Sequence, residues 1–346
     1  MMKSLLHQTA PRVLMACTLI AAAGVRAQAQ ETLADAVLYG SAASVDKMIA
    51  GGADVNETDA TGLTPLMVAA AQGYTAIARR LIAAGAGVGT VAEDGTTALM
   101  RAASANRGET VRLLLASGAD VDSRSSAGMT AVTFAAFGGY LEPVRALLAS
   151  KADPNIADNQ GRTPLMAAVT GGDVAVVEAL LGAGAKADAA DAGGGTAITY
   201  AAAAGSADAI TALQKRGARP RDLDLKLAAS ECHPAAIGVL LGAGLNVEGP
   251  AGGEAPLLVA TAANCPDAVK VLLDRKANIN IKDGDGRTAL IVATAGNMLD
   301  LARVLLERGA DMDVEDSLGR TALMYASMNG REEMAEMFRA AKAKKK

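Results

Sequence analysis

Tryptophan is missing from this 346-residue chain, and aromatic residues as a whole make up only 2% of it, although 51% is hydrophobic. A globule of that length anchors its core on large rings, each burying roughly 150–250 Å². Much of the apolar content here is alanine instead. Alanine-rich cores suit thin layers whose backbones approach closely, and the length exceeds what one compact core usually holds. The composition therefore points to stacked helices.

Histidine is almost as scarce, with two in the whole chain. His7 falls in the N-terminal leader described below, which leaves His233. One histidine excludes a two-histidine metal site, and any Ser-His-Asp or Cys-His arrangement has to use His233. Its neighbour Cys232 is adjacent in sequence, where side chains diverge, so "ECHP" (231–234) reads as a helix turn. "GAGVG" (85–89) follows a helix and opens none, which removes a phosphate-binding reading. "DGDG" (283–286) starts like a calcium loop, but Arg287 and Thr294 stand where ligands belong, so it reads as a hairpin tip. Asp54, Asp120, Asp153 and Asp311 recur at one offset and read as turn and capping groups. No enzyme activity, cofactor or metal is expected.

A basic face is lacking too. The net charge is −4, and the one basic run is the tail "AKAKKK" (341–346), which reads as a solubilising terminus. Nucleic acid as a partner is excluded on this ground. Long apolar runs are also absent. Val13 to Val25 is uncharged but shorter than the roughly 20 residues needed to cross a bilayer. Lys3 and Arg12 precede it, and Ala27-Gln28-Ala29 follows as a small-x-small cleavage site. Residues 1–29 therefore read as a secretory signal cut after Ala29, which places the chain in the periplasm or outside the cell without stable membrane insertion.

What the chain does have is a skeleton written repeatedly. From Gly161, steps of 33 residues reach Gly194, Gly128, Gly95 and Gly62, and a second series runs Gly253, Gly286, Gly319. Thr64-Pro65-Leu66, Thr163-Pro164-Leu165, Thr288-Ala289-Leu290 and Thr321-Ala322-Leu323 share one offset. Gly73, Gly139, Gly172, Gly205 and Gly330 share another, with Asn106 and Asn297 as substitutes. A leucine pair follows, as at Leu114-Leu115 and Leu180-Leu181, and then Gly-Ala. Each unit predicts a threonine-capped short helix, a left-handed turn, a second amphipathic helix and an extended arm.

With T-P-L-x-x-A-A and L-L-x-x-G-A at a period of 33, residues 30–346 resemble the ankyrin repeat. Ten units are expected, beginning near 29, 62, 95, 128, 161, 194, 221, 253, 286 and 319, the first and last acting as caps. The resemblance implies an all-α repeat solenoid of helix-turn-helix units joined by β-hairpin-like fingers. Spacing shortens to 27 residues between Gly194 and Arg221, so the row of fingers should carry a notch there. The family's usual histidine after Thr-Pro-Leu is replaced by Met67, Met100, Met166 and Met324, which read as packing groups.

The resemblance also implies a monomeric, non-catalytic scaffold that grips a partner protein on a concave face of finger tips and first helices. In this chain that face holds Glu93, Asp94, Met129, Asn159, Gln160, Arg162, Asp285, Arg287 and Arg320, with Phe137 and Tyr140 beside one turn. Residues 126–162 are the expected centre. An effector acting on a protein of a target cell, or a carboxylate-based enzyme, are the competing readings. Cys232 and Cys265 sit at the helix turns of adjacent units. Stacked layers lie about 10 Å apart and a disulfide needs Cα atoms within about 7 Å. The pair therefore reads either as a disulfide drawn together by the irregular unit or as two buried thiols.

Overall fold

The computed structural model describes residues 32–250 and 253–344, and the expected signal peptide lies outside them. Among the described residues there are twenty helices and no strands, arranged as ten consecutive pairs. The pairs are α1 (Leu33–Leu38) and α2 (Ala42–Ala50); α3 (Pro65–Gln72) and α4 (Thr75–Ala83); α5 (Ala98–Ser104) and α6 (Gly108–Ala116); α7 (Ala131–Phe137) and α8 (Leu141–Ala149); α9 (Pro164–Gly171) and α10 (Val174–Gly182). They continue with α11 (Ala197–Ala204) and α12 (Ala207–Lys215); α13 (Asp222–Ser230) and α14 (Pro234–Gly242); α15 (Pro256–Ala262) and α16 (Pro266–Asp274); α17 (Ala289–Ala295) and α18 (Leu299–Glu307); α19 (Ala322–Met328) and α20 (Glu332–Lys344). Odd-numbered helices pack on odd and even on even, so each pair is one slab of an all-α solenoid.

The repeated residues make the slab. Thr64, Thr97 and Thr163 accept the amides of Met67, Met100 and Met166 at 3.3–3.4 Å, capping the inner helices. Pro65 and Pro164 occupy first-turn positions where no donor is lost. Gly73, Gly172 and Gly205 end inner helices at φ of 77°, 82° and 72°. Asn106 and Asn297 do the same at 58° and 59°, and Asn264 and Cys232 join them at 57° and 62°. The first leucine of each outer-helix pair, such as Leu114, Leu147, Leu180 and Leu305, is fully buried. Each such side chain contributes roughly 1.5–3 kcal/mol, but only while a neighbouring slab covers it.

Met67, Met100 and Met166 are each 1% exposed, so they pack between slabs and offer no ligand surface. Met324, at the same offset, is 47% exposed because no further slab covers α19. The fingers are tight turns with few ladder contacts: isolated antiparallel bridges join Val91 to Thr97 and Ala190 to Thr196. Neighbouring fingers are tied by backbone bonds, Ser126 N to Asp94 O at 2.9 Å, Asn159 N to Ala127 O at 3.0 Å and Ala192 N to Gln160 O at 2.9 Å.

The notch falls where the spacing shortens. The segment after α12 runs directly into α13 with no finger tip. α13 is nine residues long where the flanking inner helices have eight and seven, so part of the missing arm is wound into helix. Asp224 in its first turn is fully buried. It accepts the Thr199 hydroxyl at 2.7 Å and the Arg221 amide at 2.8 Å. The Arg221 guanidinium reaches back to the Gly194 carbonyl at 2.9 Å, a side chain standing in for a finger.

Candidate functional site: the finger and inner-helix face

Most fingers are built around one acid, while Ser125 takes that place in the third and accepts the Met129 amide at 3.2 Å. Asp158 accepts the amides of Gln160 and Arg162 at 2.9 Å, and Asp283 accepts those of Asp285 and Arg287 at 3.0 and 2.8 Å. The arginine four residues on then folds back. Arg162 bonds Asp158 at 2.8 Å, Arg287 bonds Asp283 at 2.9 Å, and Arg320 bonds Asp316 through two nitrogens at 2.9 and 2.8 Å. Three of the expected contact residues are thus engaged within their own fingers, with 29–40% of each side chain exposed. Asp285 adds a 3.0 Å pair to Arg287.

The inner helices close the clusters. Tyr200 donates its hydroxyl to Asp191 at 2.6 Å, and Tyr325 donates to Asp316 at 2.8 Å. Arg320 lies over the Tyr325 ring at 4.6 Å. At the other end of the row, Asp94 accepts the Thr96 hydroxyl at 2.6 Å and pairs with Arg101 of α5 at 3.3 Å. Burial, together with the bond to Asp191, raises the Tyr200 hydroxyl far above its ordinary value. Burial also pushes the Asp316 carboxyl up, but bonds from Arg320, Tyr325 and two amides outweigh it and hold the group well below the usual carboxylate range. For Asp59 and Asp94 burial is likewise opposed and outweighed, by threonine hydroxyl and amide bonds.

The remaining expected residues separate into two places. Glu93, Asn159 and Gln160 are exposed on finger tips, and Asn159 also ties its tip to Ser126 O at 2.9 Å. Met129 is half-buried against the core. Phe137 and Tyr140, both half-buried, sit at the far end of α7, about 10 Å up a seven-residue helix from its finger base. Residues 126–162 therefore present a tip cluster and a turn cluster rather than one centre. Asp54, Asp120, Asp153 and Asp311 each accept the amide two residues on.

Sequence reasoning missed Tyr200 and Tyr325. Both stand six residues after the finger glycines of their units, Gly194 and Gly319, where Val68 and Arg101 stand in earlier ones, and that shared offset was the available signal. Cys232 and Cys265 are joined in a disulfide with Cα atoms 5.2 Å apart. The 10 Å slab spacing that stood against it does not apply at these offsets, because the turns of several successive slabs come close together. A Cβ added to Gly73 would lie 2.6 Å from Arg107 Cδ of the next slab, and one on Gly139 would lie 3.3 Å from Asp173 Cβ. Cys232 stands where those glycines stand and Cys265 where Arg107 and Asp173 stand. Among the described residues no group of three or more His, Cys, Asp or Glu is placed to hold a metal, and no helix is long and apolar enough to cross a membrane.

A family model described as Ankyrin repeats (3 copies) matches residues 33–125, 129–224, 225–316 and 257–346. The chain belongs to the ankyrin-repeat family, whose members generally mediate protein–protein interaction and are typically non-catalytic. A comparison with curated proteins gives no match.

Proposed function

We propose that this chain is a non-catalytic scaffold that binds a partner protein across its fingers and inner helices, in an exported compartment. One observation carries the reading: on a constant frame, the outward offset of the inner helices varies along the stack. Val68, Arg101, Ala167, Tyr200, Leu227, Val259, Val292 and Tyr325 occupy it partly exposed, and Phe134 occupies it buried. A frame that keeps its buried residues and varies its exposed ones supports recognition by shape and chemistry. The N-terminal charge, apolar stretch and Ala-Gln-Ala support export.

Capture from the exported fraction with the full mature chain tests the face. Phe137→Ala with Gln160→Ala is expected to lose the captured protein, while Arg145→Ala with Glu178→Ala on the outer helices retains it; equal capture by both pairs overturns the proposal. Export is tested separately by N-terminal sequencing of the mature protein, which is expected to begin at Gln30. A chain still beginning at Met1 removes the exported compartment but leaves the binding face in place.

A further inference from the structure

The missing finger leaves the finger before it with an open edge. Four other fingers are covered by the next one: Asp94 O, Ala127 O, Gln160 O and Asp285 O each accept an amide of that finger at 2.9–3.0 Å. A Cβ added to Gly95, Gly161 or Gly286 would lie 2.5–2.9 Å from the same amide nitrogen. Gly194 holds the matching place in its own finger, and nothing lies within 4 Å of the corresponding point. Gly193 is exposed, and its carbonyl accepts no bond among the described residues. The Arg221 side chain takes Gly194 O at 2.9 Å and leaves Gly193 O open. The gap is one slab thick, about 10 Å, which admits one extended chain with its side chains.

Two properties of the gap say what fills it. Its floor is apolar. Leu223 stands two residues before the buried Leu225, as the capping Thr64 stands before Leu66, yet Leu223 is 48% exposed and Thr64 2%. Leu227, one turn further on the same face of α13, is half-buried, and Tyr200 and Val259 hold its offset in the flanking slabs. The rim is basic. Lys215, Arg216, Arg219 and Arg221 fall within seven residues and all are exposed. The first three form no ion pair among the described residues, and Arg221 approaches only the buried Asp224, at 3.8 Å. Asp222, half-buried, is the one other acid of this stretch. In a chain of net charge −4 this rim is a local excess of positive charge. We propose that the partner protein lays an extended, acidic segment into the notch in place of the missing finger, an assignment that rests on the scaffold reading above and adds the place and chemistry of contact. A backbone amide of the segment donates to Gly193 O, as the next finger does elsewhere. Its apolar side chains cover Leu223 and Leu227, and its carboxylates pair with Arg216 and Arg219.

Short peptides selected from a random displayed library on the full chain, then titrated as synthetic copies, test the site. The selected peptides are expected to be rich in Asp, Glu and branched apolar residues, and their binding to weaken as salt rises. Arg216→Glu with Arg219→Glu, and separately Leu223→Ser, should each weaken binding by about tenfold or more, while Phe137→Ala with Gln160→Ala leaves it unchanged. Restoring the 33-residue spacing by an insertion after Pro220 puts a finger in the gap and should abolish binding. Should that insertion not fold, the substitutions, all of exposed side chains, decide by themselves. Basic or uncharged peptides, binding that survives the notch substitutions, or no selected peptide would each overturn the proposal. A partner protein lost on Phe137→Ala with Gln160→Ala but fully retained by the notch variants would overturn the notch and leave the scaffold reading standing.

Discussion

At the scale of single residues, position between slabs decides cost. Leu180 is fully buried, so Leu180→Ala should destabilise by about 2–5 kcal/mol. Leu318 is equally apolar but 73% exposed on a finger tip, and Leu318→Ala should change stability by less than about 0.5 kcal/mol. Urea midpoints of the two variants check the contrast. Asp316 gives a pH test. Its carboxyl titrates below its unfolded value, because the bonds from Arg320 and Tyr325 outweigh the effect of burial. Its contribution is therefore complete above the unfolded value of about 3.9 and disappears as pH falls through the depressed one. The melting-temperature gap between the native chain and Asp316→Asn should stay constant from neutral pH down to about 5 and close only in stronger acid. A gap that closes on raising the pH would reverse the assignment.

At the scale of elements, glycines in helices divide by what surrounds them. Gly238 lies inside α14 with nothing near the site of a Cβ, so Gly238→Ala should stabilise by about 0.5–1 kcal/mol. Gly171 ends α9 where a Cβ would lie 2.5 Å from the Phe137 carbonyl oxygen, and Gly171→Ala should destabilise by about 1–3 kcal/mol through slab separation. Thermal melts of the two alanine variants should move in opposite directions. Helices, caps and turns of this kind were legible in the sequence because Thr-Pro-Leu, the turn glycine and the leucine pair act within one unit. The notch was legible as missing residues. What stayed hidden acts between units: Arg221 replacing a finger, Asp224 buried beside Thr199, and turns leaning close enough to join Cys232 to Cys265. The finger arginines were read as free surface because the acid four residues earlier gives no sign in sequence of which way each side chain folds.

At the scale of the whole molecule, the chain is a row of slabs, each with too small an apolar face to fold alone. Stability then follows the number of contacts between slabs, and the binding face follows from the row being long. Removing units one at a time from the C-terminal end, and following urea unfolding by circular dichroism, measures this most directly. Stepwise loss of unfolding free energy with each unit removed, ending in an unfolded single unit, is the predicted result. An isolated unit such as residues 161–193 that folds with the midpoint of the full chain would contradict it.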